Sequence, residues 1–105
     1  MDDSWKTVAA LAARFDEHDR TRGVAREESV TVQILKIGEE FGEAAQAVIG
    51  AKGSNPRKGD SHTWDDVEAE VADVIVTAMV ALARLRPDAP AFFAAHLREK
   101  SARFL

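Results

Sequence analysis

The chain has 105 residues and weighs 11.5 kDa, enough for one domain spanning 1–105. It carries 14 basic and 18 acidic side chains, a formal charge of −4, which argues against binding a nucleic-acid polymer. There is no cysteine, so disulfides, thiolate metal sites and cysteine nucleophiles are excluded. No run of about 18 apolar residues and no basic start followed by an apolar stretch occurs, so neither a membrane span nor a secretory signal is expected. A cytoplasmic protein is the expectation.

Apolar residues recur at helical spacing almost throughout. Trp5, Val8, Ala12 and Phe15 form a first stripe, with Leu11 beside it and Asp3 or Ser4 as its cap. Asp19–Arg26, centred on Gly23, reads as a loop. A second helix is predicted from about Ser29 to Ala51, on Val30, Ile34, Ile37, Phe41 and Val48. Gly50 and Gly53 bracket its end, and Pro56 prevents continuation. The segment Lys52–His62 has turn chemistry and three cations. Thr63 is a good N-cap for a third helix, with Asp65 and Asp66 in the first turn where the helix dipole favours anions. That helix carries Val67, Val71, Val74, Ala78, Leu82 and Leu85, and Pro87 stops it. Asp88 is the predicted cap of a fourth helix with Phe92, Phe93, Leu97 and Phe104. The pattern predicts an all-α fold of four helices, two long central ones flanked by shorter ones. With 29 large apolar residues and 19 alanines the core is thin for a monomer, so a dimer is the smallest expected assembly.

The chemistry-bearing residues lie on the two central helices. Glu40 and Glu43 share a helix face, as do Glu70 and Asp73, and Glu39 lies at the edge of the first pair. Asp73 is the sole charge in Val71–Val80, a stretch whose composition predicts burial, and Glu40 lies between Ile37 and Phe41. Neither Ile37–Ala51 nor Ser61–Ala83 contains a Lys or Arg, so the acids lack matching cations. Buried carboxylates without partners are expensive, and a cation or protons must compensate them. An all-oxygen donor set suits Mg²⁺ or Mn²⁺. Zinc fits less well because no His falls at a helical ligand spacing, and the Glu-x-x-His pairs of a di-iron bundle are absent. The acids on these helices could also form a solvated face, a reading that suits Asp66 and Glu68 better than these four.

Glu39-Glu40-Phe41-Gly42-Glu43 followed by Glu70-Val71-Ala72-Asp73 reads EExxE, a spacer, then ExxD. It resembles the signature of the MazG-like nucleotide pyrophosphohydrolases, the all-α NTP pyrophosphatase superfamily, over at least Ile34–Leu82. The resemblance implies a four-helix MazG-like bundle completed by oligomerisation as a homodimer or homotetramer. It implies Mg²⁺ held by Glu40, Glu43, Glu70 and Asp73, and hydrolysis of a nucleoside triphosphate to the monophosphate and pyrophosphate. The role implied is house-cleaning of aberrant or surplus nucleotides. The metal would neutralise and orient the triphosphate and make water more nucleophilic. Glu39 is the candidate for orienting or deprotonating that water, and equally reads as a surface residue. In several relatives a polar or aromatic residue follows ExxD by one turn; Val76 and Thr77 stand there in this chain, so only Thr77 fits.

A triphosphate needs cations beyond the metal. Lys36, one turn before Glu40, is positioned for phosphate or for that carboxylate. Lys52, Arg57 and Lys58 on the long loop are candidates to close over a polyphosphate, or are simply solvated. Arg98, Lys100 and Arg103 read as an exposed polar face. Trp64 is the first candidate for stacking on the base, ahead of Phe41, Trp5 and Phe15, all of which also suit a core. Two other functions share the pattern: a phosphoribosyl-ATP pyrophosphatase of the same superfamily, and a non-catalytic helical oligomerisation module.

Overall fold

Two glycines decide where the first two helices stop. The computed structural model describes residues 3–105 and contains α1 (Ser4–Thr21), α2 (Arg26–Ala51), α3 (Trp64–Leu85) and α4 (Ala89–Ser101). Gly23, at φ 74°, follows the last residue of α1's cap, and the N–H of Val24 reaches back to the Asp19 carbonyl at 3.0 Å. Gly53, at φ 65°, does the same for α2, with Ser54 N–H donating to the Ile49 carbonyl at 3.1 Å. Both are left-handed C-terminal caps of the Schellman kind, which a residue with a Cβ adopts only at a cost.

The ends of α3 are set by other means. Thr63 Oγ1 accepts from Asp66 N–H at 3.2 Å while Asp66 Oδ2 accepts from Thr63 N–H at 2.9 Å, a complete capping box. Beyond α3, Pro87 ends the helix, and the Arg86 guanidinium pairs in bidentate fashion with Asp88 and lies 3.9 Å from the centre of the Phe92 ring.

Several boundaries differ from the sequence expectation. Residues 19–21 belong to α1, and α2 starts at Arg26, three residues before Ser29. The turn between them is only 22–25, because the Gly23 cap closes it tightly and Glu27 and Glu28 favour an early start for α2. Asp3 and Asp88 occupy N-cap positions, but neither side chain makes a capping hydrogen bond. Phe104 lies past the end of α4.

α2 and α3 form the most extensive helix pair, with α1 laid chiefly against α3. They run antiparallel: Ser29 meets Arg84 at one end, and Glu43 acts on Glu70 at the other. The core under α1 is Val8, Ala12 and Val80, flanked by Trp5, Leu11, Met79 and Ala83. All buried apolar side chains among the described residues are Val or Ala. Many of the larger ones remain exposed: Leu35 is 68% exposed, Phe41 66% and Ile75 55%. The radius of gyration is 16.7 Å, against about 13 Å for a compact chain of this length. The accessible surface is 7848 Å², roughly 2,000 Å² more than a compact monomer of this mass presents.

Candidate metal centre

The same face of α2 that meets α3 carries Ser29, Gln33, Lys36, Glu40 and Glu43, spaced four, three, four and three residues apart. On α3 the facing row is Glu70, Asp73, Thr77, Val80 and Arg84. These spacings keep each row on one side of its helix. The seam between the two central helices is therefore polar at both ends.

At one end the polar groups satisfy each other. Arg84 is 5% exposed. Its Nε donates to Asp16 Oδ1 at 2.8 Å, its Nη1 to Gln33 Oε1 at 2.8 Å, and its Nη2 to Asp19 Oδ2 at 3.1 Å and to Ser29 Oγ. Ser29 Oγ in turn donates to Asp19, and Gln33 Nε2 donates to the Thr77 carbonyl at 3.4 Å. Hydrogen bonds from Ser29 and Arg84 hold the Asp19 carboxyl below its ordinary value. This knot ties α1, α2 and α3 together.

At the other end the groups oppose each other. Glu40, Glu43 and Glu70 each offer a carboxylate oxygen within 4.8 Å of the others. Glu40 and Glu70 are half-buried and Glu43 is exposed. Glu70 Oε2 is buried and has no hydrogen-bond partner. Desolvation, then repulsion by Glu43, raises the Glu40 carboxyl above its ordinary value. Desolvation, Glu43 and Asp73 do the same to Glu70, with His62 opposing them. No salt bridge reaches any of the three among the described residues. An orphaned buried oxygen among converging, mutually repelling carboxylates fits a hard divalent cation.

Asp73 lies outside the trio, though its charge acts on both Glu40 and Glu70. It is exposed, contrary to the burial its apolar neighbours predict, because Val71 (47% exposed), Ile75 and Val76 are themselves open to solvent. Glu39 is exposed and outside the trio. Lys36 is exposed on the α2 row one turn from Glu40. Trp64 is 55% exposed at the first residue of α3.

The loop between α2 and α3 folds back over the end of α2. Gly50 leaves room there, since a Cβ at that position would overlap the His62 ring and the Ser61 hydroxyl. Asn55 Oδ1 accepts from the N–H groups of Arg57 (3.0 Å) and Lys58 (3.3 Å), which shapes the loop tip. Lys52, Arg57 and Lys58 are exposed, and none forms a salt bridge with the trio. The Arg84 knot is absent from the expectations drawn from sequence. Ser29 and Gln33 continue the Glu40–Glu43 row by spacing, but that spacing does not point to Arg84 on α3.

Compared with known protein families, with curated proteins and with solved structures, the chain matches none.

Proposed function

We propose that the protein is a Mg²⁺-dependent nucleoside triphosphate pyrophosphohydrolase of the MazG-like all-α kind, acting to remove aberrant or surplus nucleotides, with Mn²⁺ able to replace Mg²⁺. The observation that carries this reading is the trio Glu40, Glu43 and Glu70, which includes a buried oxygen without a partner. Glu40, Glu43 and Glu70 would hold the cation, with Asp73 adding its charge from the adjoining turn of α3. A bound Mg²⁺ supplies neutralisation of the triphosphate and acidification of water. Glu39, next to the trio on α2, takes the proton of the attacking water. The water oxygen bonds to the α-phosphorus as the bond to the β-phosphate bridging oxygen breaks in line with it. Pyrophosphate and the nucleoside monophosphate are the products. Lys36 stands beside Glu40 to offset phosphate charge.

The reading includes a homodimer, alone or paired into a homotetramer. Its support is the roughly 2,000 Å² of surplus surface per chain, in the range each partner of an obligate dimer buries. Leu35, Phe41, Val71 and Ile75 on the two central helices supply the apolar part.

The test is a panel of ribo- and deoxyribonucleoside triphosphates incubated with Mg²⁺, with pyrophosphate and orthophosphate measured separately. Pyrophosphate alone should appear. Glu43→Ala should lower turnover at least a hundredfold with helical content unchanged. Orthophosphate as the product, or full activity in Glu43→Ala, refutes the reading. Light scattering should give at least twice the chain mass.

A further inference from the structure

The stretches that carry the acids, 37–51 and 61–83, contain one side chain able to hold positive charge, His62. It closes the loop, immediately before the Thr63 cap of α3. The seam between α2 and α3 extends to it. The α2 row of Glu40 and Glu43 continues through the fully buried Ala47 to Gly50, again at spacings of four and three. Gly50 has no Cβ, and the His62 ring and the Ser61 hydroxyl take that space. The ring is half-buried there, with Nδ1 2.9 Å from Ser61 Oγ. Nδ1 is thus engaged, and Nε2 is the ring's other polar atom.

Glu43 and Gly50 are seven residues apart, about 10 Å along α2. His62 is not one of the trio and lies beyond the ligand shell of a cation held there. Long side chains on a helix lean towards its start, which directs the Glu70 carboxylate to the His62 end of α3. The imidazole charge acts on Glu70 and on Asp66, and the Asp66 carboxylate is already committed to the Thr63 N–H. A cation at the trio neutralises only the phosphates it touches, and the rest of a polyphosphate needs donors. Imidazole supplies one in either protonation state, since a neutral ring that accepts from Ser61 at Nδ1 carries its proton on Nε2. Lys52, Arg57 and Lys58 are long, exposed side chains that lose rotamer freedom on binding, whereas the His62 ring is already seated.

We propose that His62 is a phosphate-binding residue of this site, its Nε2 donating to the end of the polyphosphate that departs as pyrophosphate while the cation at the trio holds the reacting end. This rests on the pyrophosphohydrolase reading and gives the leaving group a residue on the loop, and Gly50 the role of seating that residue.

The test uses the full chain and inorganic pyrophosphate as the probe, with Mg²⁺ present and binding measured by calorimetry. His62→Phe keeps a ring over Gly50 and removes the donor, so it should bind pyrophosphate at least tenfold more weakly than wild type. His62→Gln keeps a donor and should stay within threefold. Gly50→Ala displaces the ring without removing it and should weaken binding at least tenfold as well. Mn²⁺ affinity should stay within threefold in all three, which shows that the acids are intact and the chain folded. Wild-type pyrophosphate affinity in His62→Phe, equal losses in His62→Phe and His62→Gln, or no binding to wild type overturns the proposal. If wild type binds pyrophosphate through His62 but releases none from any triphosphate, the hydrolase reading fails while this assignment stands. Release of pyrophosphate by a His62→Phe variant with wild-type KM and pyrophosphate affinity does the reverse.

Discussion

Replacing Arg84 by Met removes the cation at the centre of the three-helix knot and keeps most of the side chain's volume. Arg84 is 5% exposed and its guanidinium serves Asp16, Asp19, Gln33 and Ser29. Gln33, 4% exposed, would lose the partner of its Oε1, and an orphaned buried acceptor costs about 1–3 kcal/mol. Asp16 and Asp19 are more open and would partly rehydrate, although Asp19 keeps its bond from Ser29. Removing one partner of a buried ion pair costs about 3–5 kcal/mol in total, and the Arg84 environment places the variant in that range. For a domain of this size each kcal/mol lowers Tm by about 4–8 °C, so a drop of at least about 12 °C is expected. Urea unfolding followed by circular dichroism, at one fixed chain concentration, measures the loss directly. Arg84→Lys should recover little of it, because one ammonium nitrogen cannot reach the four partners that the three guanidinium nitrogens serve. A loss below about 1 kcal/mol for Arg84→Met would refute the view that the knot holds α1 to the central pair.

Two further outcomes follow from the acids and the loop. Glu40 and Glu70 have carboxyls raised above the ordinary 4.5, so the folded state binds protons more readily than the unfolded one in the window above that value. Metal-free stability should therefore rise as pH falls from about 7 to about 5, before the lowered Asp19, Asp66 and Asp88 take up protons and reverse the trend. Mg²⁺ should raise Tm at neutral pH and raise it less at about pH 5; a scanning-fluorimetry series in which Mg²⁺ has the same effect at both would count against the trio as a cation site. Gly50→Ala should destabilise the chain by about 1–3 kcal/mol, because its Cβ overlaps His62 and Ser61. Limited proteolysis should then cut within 52–63 faster than in wild type, and an unchanged cleavage rate would mean that the loop does not rest on α2.

The four helices were legible because period and caps agreed. Thr63 caps α3 and Gly53 closes α2 as their residue types suggest. Asp3 and Asp88 also have capping chemistry and make no such bond, since residue type offers a cap without obliging it. Helical spacing paired Glu40 with Glu43; the packing of α3 on α2 is what brings Glu70, and not Asp73, into one trio with them. The burial of Asp73 was inferred from its apolar neighbours, but within one chain Val71, Ile75 and Val76 are themselves exposed. Arg84 went unnoticed because its partners lie on two other helices, Asp16 and Asp19 on α1 and Ser29 and Gln33 on α2. Spacing along one helix carries no direct sign of such long-range pairing.

The polar seam between α2 and α3 also fixes their register. An apolar seam repeating every seven residues tolerates a slide by one heptad, since each knob meets another hole of the same kind. Here one such slide would set Arg84 against Lys36 and move the acids of α3 next to Ala47 and Gly50. The opposite slide would carry Arg84 past the start of α2 and away from Ser29 and Gln33. Either misalignment takes the two acceptors on α2, Gln33 and Ser29, away from the buried guanidinium. The side chains that look least suited to a helical core thus specify which of the near-equivalent alignments the chain adopts.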